Sequence, residues 1–384
     1  MNQKEVSELR RRFRPERSAV SHLYGCYVGA AGSIIAYLDE PVSMLSQEEG
    51  EMFLGLLKKA LSGSLGRNLI DIVFSTEQVV DSEEHRLLSA LRDTALQDGA
   101  VREQFYQKVI QSLDLDGSGY LILLAHDAYD VPARRGDELD AETGDTVFSY
   151  ILCCVCPVKD GKLALEFCPG ENEFHSCLGK QVVSPPELGF LFPAFNDRAA
   201  DLYSALFYTR KPDQLHQDFI DAVFHTEPPM SATEQREAFQ AALAESLEEG
   251  CSMEVVQFVH ERIRERLEEH KESGDTEPPA MTVGEAAALL AECGVSEERT
   301  AAFKESCGQR FGEGAVLAPA NLVDTKRFEV KTAQMTLTMD PAFSALVEAR
   351  IIDGKKYLLI PAGAEVEING FPVGLDAQDG PLKQ

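Results

Sequence analysis

Positive charge is in short supply in this sequence: 36 Lys and Arg stand against 64 Asp and Glu, a net charge of −28 over 384 residues. A surface of that sign repels phosphate backbones, so a broad duplex-binding face is excluded unless basic charge is concentrated locally. No apolar run approaches the roughly 18 residues that span a bilayer. No apolar stretch follows the basic N-terminus as it would in a secretory signal. The motifs G-x-S-x-G, Walker A, H-E-x-x-H and G-x-G-x-x-G are all missing, which removes the signatures of several large enzyme classes, and with them any expected cofactor. Nine cysteines is an odd number, and three of them crowd into Cys153, Cys154 and Cys156. Without a secretory signal they read as reduced thiols, and the protein as cytoplasmic.

What is present is ordinary for a folded protein: 44% of residues are hydrophobic and 26% charged. The length predicts two or three domains. Residues 2–13 set Val6, Leu9 and Phe13 among charges, the pattern of a short amphipathic helix stopped by Pro15. Residues 22–28 and 33–38 flank Gly29-Ala30-Ala31-Gly32 and read as a hairpin. A capping box at Ser46 to Glu49 opens a helix. Residues 69–74 read as a strand, 81–92 and 101–112 as helices. Continuous apolar runs at 120–125 and 147–158 predict buried central strands, and 162–167 a third, with 132–145 an exposed polar loop between the first two.

From about Asp213 the pattern turns helical, with further capping boxes at Ser231 to Glu234 and Thr282 to Glu285. Val256, Val259, Ile263 and Leu267 are placed on one helical face. Residues 227–277 carry 14 acidic and 5 basic side chains, a local balance of −9. Beyond Pro319 short β-like runs return at 328–331, 335–339, 346–352, 357–360 and 364–368. The expected class is α+β: an N-terminal α+β domain with a central β-sheet (1–210), an acidic helical middle (211–318) and a small β-rich C-terminal unit (319–384).

Four groups of residues carry possible chemistry. His126, Asp127 and Asp130 close a predicted buried strand, where an acid/base pair or a metal site could form; the alternative is strand-end hydrogen bonding. Cys168, His175 and Cys177 resemble three zinc ligands lacking a fourth, and read otherwise as a loop with free thiols. Asp114, Asp116, Ser118 and Gly119 imitate the first half of a calcium loop, but Ala125 stands where the bidentate Glu belongs, so a solvated turn is expected. Arg10, Arg11, Arg12, Arg14 and Arg17, with Lys4, give residues 1–17 a balance of +3 (6 basic, 3 acidic). They suit a phosphate or acidic partner, or else the protein's own carboxylates. The formal C-x-x-C of Cys153 and Cys156 cannot converge within a strand, because residues three apart face opposite ways. Asp221 and His225, four apart at a helix end, are a weaker pair of the same kind as His126 and its neighbours.

Several stretches resemble the bacterial domain-of-unknown-function family 4317. They are Tyr24-Gly-Cys-Tyr-Val28, residues 56–76, L-I-L-L-A-H-D-A-Y-D-V-P at 121–132, residues 148–159, P-G-E-N-E-F-H at 169–175, and residues 216–231. The resemblance spans nearly the whole chain and implies no activity or catalytic residues. More remotely, the order of elements is similar to the bacterial nucleoid-associated protein family, through N-L-V-D-T-K-R-F at 321–328, M-T-L-T-M-D at 335–340 and I-I-D-G-K-K-Y-L-L-I at 351–360. That similarity implies association with the chromosome. Taken together, the expected role is a cytoplasmic interaction protein, in one version nucleoid-associated, working through a protein partner or a local basic patch. Nucleic acid is disfavoured by the net charge, and no membrane contact is expected. The alternative is a metal-dependent hydrolase or phosphoesterase using His126, Asp127 and Asp130, and a third reading is an acidic nucleic-acid mimic.

Overall fold

The apolar runs at 120–125 and 147–158 need cover on both sides, and the fold supplies it. A computed structural model describes residues 1–373 apart from 15, 17, 133–145, 162, 228, 248–251, 363–365 and 369. The predicted loop at 132–145 therefore lies, beyond Pro132, outside the described residues. Contacts divide the chain into one unit of Met1–Gln235 with Asp275–Pro278 and another of Arg236–Gly274 with Pro279–Gln384.

In chain order the first unit consists of α1 (Gln3–Arg12), β1 (His22–Val28), β2 (Ile34–Pro41), α2 (Gln47–Lys59), β3 (Leu69–Val73), α3 (Thr76–Asp81), α4 (Glu83–Asp93), α5 (Gly99–Ser112), β4 (Tyr120–Val131), β5 (Thr146–Lys159), β6 (Leu163–Cys168), β7 (Glu173–Leu178), β8 (Val182–Val183), β9 (Leu188–Phe192), β10 (Ala194–Asn196), β11 (Ala199–Asp201), β12 (Ser204–Thr209) and α6 (Gln217–Phe224). The main sheet has the order β2-β1-β4-β5-β9-β12-β3, with β8 added at one end of β5. Every neighbouring pair in it is antiparallel.

Successive side chains on a strand point to opposite faces. On β4, Ile122 and Leu124 pack with Leu88 and Leu91 of α4, Phe105 of α5 and Phe219 of α6. Leu121, Leu123 and Ala125 pack on the other side with Val6 and Leu9 of α1 and Leu54 and Leu57 of α2. The sheet is thus the middle of three layers, and its central strands have no wet face to alternate toward. The cysteines follow the same pleat. Cys153 lies in the first core, Cys154 and Cys156 in the second with their sulfurs 3.8 Å apart. Burial pushes the Cys153 and Cys154 thiols well above the ordinary range, so they act as small apolar groups. Gly25 on β1 is needed for close approach, since a Cβ there would sit 2.2 Å from the Ile122 carbonyl oxygen.

Local signals set most boundaries. Asn2 and Glu5 form a reciprocal capping box on α1, and Ser46 and Glu49 one on α2. The helix expected over 81–92 begins later, because Ser82 ends α3 and its side chain caps α4 by accepting from the His85 amide. The 162–167 run becomes β6, which pairs with β7 in a hairpin of its own and not with the main sheet.

The second unit begins within α7 (Ala232–Leu247) and continues through α8 (Met253–Ser273), α9 (Val283–Glu292) and α10 (Glu297–Phe311). Phe239, Val259, Ile263, Leu290 and Phe303 are among its core residues. The buried stripe of α8 is Val255, Val259, Ile263 and Leu267, at a spacing of four. Val256, expected in that stripe, is 41% exposed instead. Among the described residues the β-rich end has three separate hairpins: Phe328–Lys331 with Thr336–Met339, Glu348–Ile352 with Lys355–Leu359, and Val366–Ile368 with Phe371–Val373. The class is α+β, as expected. Among the described residues, no helix is long and apolar enough to cross a membrane.

Candidate functional site

Helix α1 has two faces. Val6, Leu9 and Phe13 enter the core, whereas Lys4, Ser7, Glu8 and Arg11 form a stripe at spacings of three and four. Arg12 lies at the edge of that stripe and reaches the end of β4. Its Nε donates to Asp127 Oδ2 at 2.5 Å and its Nη2 to Asp127 Oδ1 at 2.9 Å, a two-pronged guanidinium–carboxylate contact. Tyr150, directly opposite Asp127 in the β4–β5 register, donates its hydroxyl to Oδ2 at 2.7 Å. Asp127 is 2% exposed. Its carboxylate holds Arg12 more firmly protonated than a free guanidinium, and burial, reinforced by that negative charge, pushes the Tyr150 hydroxyl well above its ordinary value. Arg12 and Tyr150 therefore both keep their protons at neutral pH.

A second polar layer covers the first. The Arg12 guanidinium stacks 4.4 Å from the centre of the Tyr129 ring. Tyr129 donates its hydroxyl to Glu8, and Arg198 donates to Glu8 at 2.8 Å and to the Pro132 carbonyl at 3.1 Å. Beside this network opens a pocket of about 760 Å³, walled in part by Lys4, Ser7, Glu8, Arg11, Arg12 and Tyr129. Among the described residues Lys4 and Arg11 have no ion-pair partner, so the pocket carries two uncommitted cations above a committed one.

The structure separates the residues expected to act together. His126 lies on the sheet face opposite Asp127 and bonds to Ser149 Oγ at 2.9 Å. Asp130 shares the His126 face and is exposed. His126 and Asp127 are neighbours in sequence and turned apart by the pleat, so they form no acid/base pair. Cys168, His175 and Cys177 were expected in a loop; Cys168 instead ends β6, and His175 and Cys177 lie within β7. Cys177 is in register with Ala164, four residues from Cys168, while the His175 ring nitrogen meets Glu171 at 2.8 Å. Among the described residues no group of three or more His, Cys, Asp or Glu is placed to hold a metal ion.

The half-calcium-loop motif folds as a turn in which Asp114 accepts from the Gly117 amide at 3.0 Å and the chain passes directly into β4. Asp221 and His225 form an exposed contact at 3.5 Å on α6. Of the arginines, Arg12 satisfies the protein's own carboxylate, Arg11 faces the pocket and Arg14 is exposed. Arg10 has a buried Nε with no hydrogen-bond partner, and Arg17 lies outside the described residues. Tyr150, Tyr129, Glu8 and Arg198 were not anticipated. Glu8 alone carried a signal, four residues before Arg12 on a predicted helix.

Burial holds His126, His216 and His260 below the ordinary histidine value of 6.5. The unfolded chain then binds more protons than the folded one as pH falls through that value. The stability these groups contribute is complete above about pH 6.5 and is lost on acidification toward pH 5. Thermal unfolding at pH 7.5, 6.0 and 5.0 should show a falling midpoint, with a shallower fall when all three are replaced by Gln. An equal slope in the variant would rule the histidines out. Strongly depressed carboxylates such as Glu285, at about 2, act at lower pH and do not mask the effect.

A family model described as "Domain of unknown function (DUF4317)" matches residues 1–371 of the 384. No curated protein matches the chain.

Proposed function

The chain belongs to the DUF4317 family, and from that premise, a family description that names no chemistry, we propose that it is a cytoplasmic interaction protein and not an enzyme. The observation that carries this reading is the β6–β7 hairpin. It stands outside the main sheet, and three of the four described side chains on one of its faces are apolar, the fourth being Ser176 opposite Leu165. Leu165 and Phe167, two apart on β6, are 73% and 44% exposed, and Phe174, paired with Phe167 in register, is 68% exposed. The two phenyl rings lie 5.2 Å apart. A two-stranded ribbon is marginal by itself in water, and an exposed apolar face on one marks a surface that gains by being covered. Glu171 and Glu173 edge the turn, so the fitting partner is a protein with an apolar groove and a basic rim.

The test compares co-purification by wild type and by a Leu165→Ser/Phe167→Ser/Phe174→Ser variant. Exposed positions tolerate such changes within about 0.5 kcal/mol, so the variant should fold and melt like wild type. It should lose a specific partner that wild type retains. Identical partner sets would overturn the proposal.

A second reading rests on the stripe of Lys4 and Arg11. It suits a phosphate-bearing or acidic partner, and it is where a nucleoid association would act. Nuclease treatment before the same co-purification separates the two. Loss of the partner on digestion would favour the stripe, and loss only in the hairpin variant would favour the hairpin. The hydrolase alternative draws no support from the geometry, since His126 and Asp127 face opposite sides of the sheet.

A further inference from the structure

The second unit contains a pocket of about 370 Å³ that belongs to none of the sites above. Three segments build it. From α7 come Arg236, Phe239, Gln240 and Leu243, one stripe at spacings of three and four. From α8 come Val256, Val259 and His260. The third wall is the chain from Leu322 to Glu329, including Val323 and Phe328. His260 fixes that wall: its Nε2 lies 2.9 Å from the Asp324 carbonyl and its ring meets Phe328 edge-on at 5.5 Å. The exposure of Val256, which departs from the core stripe of α8, is explained by its place at the pocket mouth.

Seven of the thirteen lining residues are apolar and six are polar or charged, a mixed wall that can take an amphipathic small molecule. The charged ones are two arginines, Arg236 and Arg327, and two carboxylates, Asp324 and Glu329. Arg236 has a buried Nε with no hydrogen-bond partner, and leaving such a donor unsatisfied is costly. Among the described residues neither Arg236 nor Arg327 has an ion-pair partner, although the chain carries 64 acidic residues against 36 basic ones. The two acidic residues on the wall are already engaged. Glu329 pairs with Lys331 at 2.7 Å, and Asp324 Oδ1 accepts from the Lys326 and Arg327 amides at 2.9 and 3.2 Å. The cavity thus offers an unsatisfied guanidinium donor at one side and aliphatic and phenyl surface elsewhere.

We infer that this pocket binds a small monocarboxylate with an apolar body, its carboxylate on Arg236 and its hydrocarbon among Phe239, Val259, Leu322 and Phe328. A carboxylate matches the planar donor fork of Arg. A multiply charged phosphate would have to be stripped of water against the apolar side of the lining and beside the Asp324 and Glu329 carboxylates.

The experiment is calorimetric titration of the full chain with decanoate and, separately, with decanol, which has the same chain length and no charge. Decanoate should bind saturably at one site and at least about tenfold tighter than decanol, the ratio expected for a hydrogen bond to a charged group. Arg236→Gln should bring decanoate down to the decanol level, and Arg236→Lys should restore part of the difference. Val256→Trp, a change at an exposed mouth position that leaves the core intact, should block both ligands. Melting curves identify any variant that fails to fold, and Val256→Trp keeps the inference testable if the Arg236 variants do. Non-saturable decanoate binding, equal affinity for decanol, or unchanged binding in Arg236→Gln would each overturn it. A blocked N-terminal pentapeptide with a free C-terminal leucine serves as a further probe; if it binds tighter than decanoate, the pocket is a peptide site and the small-molecule assignment fails.

Discussion

Asp127→Ala is expected to destabilise the first unit by about 3–5 kcal/mol, the range for removing one partner of a buried ion pair. The carboxylate is the acceptor for two guanidinium nitrogens and one phenol. Its loss leaves the buried Tyr150 hydroxyl without an acceptor and the Arg12 guanidinium, 18% exposed at the pocket wall, with the Ala128 carbonyl as its remaining hydrogen-bond partner. The loss of the partner dominates, and the intrinsic worth of the pair is smaller. An Arg12→Met/Asp127→Leu variant removes both charges and leaves only the Tyr150 hydroxyl without its acceptor, so it should be more stable than Asp127→Ala. Adding Tyr150→Phe removes that last unpaired group and should recover about 1 kcal/mol more. Urea unfolding of the four proteins checks the order. A drop of less than about 1 kcal/mol for Asp127→Ala would mean that water reaches the cluster and that it is not buried as described. The same series bears on function: if the cluster only anchors α1, the double variant will retain any partner that wild type binds.

Arg12 and Asp127 were both legible in the sequence as polar anchors, but not as a pair. Arg12 stood out as a cation in an acidic chain and suggested either a phosphate contact or one of the protein's own carboxylates, and the second is what it finds. Asp127 stood out beside His126 and suggested acid/base chemistry or strand-end hydrogen bonding. They are in fact each other's partners across 115 residues, and no local pattern carries a pairing of that range. The His126–Asp127 expectation failed for a reason visible beforehand: the segment already read as a strand, and a period of two turns adjacent residues apart. The same rule, applied to Cys153 and Cys156, gave the observed divergence. Helix starts were readable because capping is a short-range bond, as at Ser46 with Glu49 and Thr282 with Glu285. Strands β9 and β12 were not, being five and six residues long and buried throughout. In a layer covered on both faces a short apolar run has no alternation to announce it. The hairpin face was hidden for the opposite reason: Phe167 and Phe174 become a patch only through the β6–β7 register.

Phe190→Ala is expected to cost about 3–5 kcal/mol, as large aromatic truncations in well-packed cores do. Phe190 sits at the centre of β9 with no exposed surface. Its ring faces those of Phe105, Phe219 and Phe224 at 6.0, 6.4 and 5.2 Å. Those partners come from α5 and α6, so the truncation opens a cavity where the sheet meets both helices, and the surroundings can collapse only by shifting a whole helix. Phe174→Ala removes the same atoms from the exposed hairpin face and should change stability by no more than about 0.5 kcal/mol. The pair of substitutions therefore separates packing from recognition. Phe190→Ala should lower the unfolding midpoint strongly, and any loss of partner binding should follow the loss of folded protein. Phe174→Ala should leave the midpoint in place and weaken partner capture directly. Equal stability effects at the two positions would contradict both the three-layer packing of the first unit and the solvent-facing position of the hairpin, because either arrangement requires the two phenylalanines to differ.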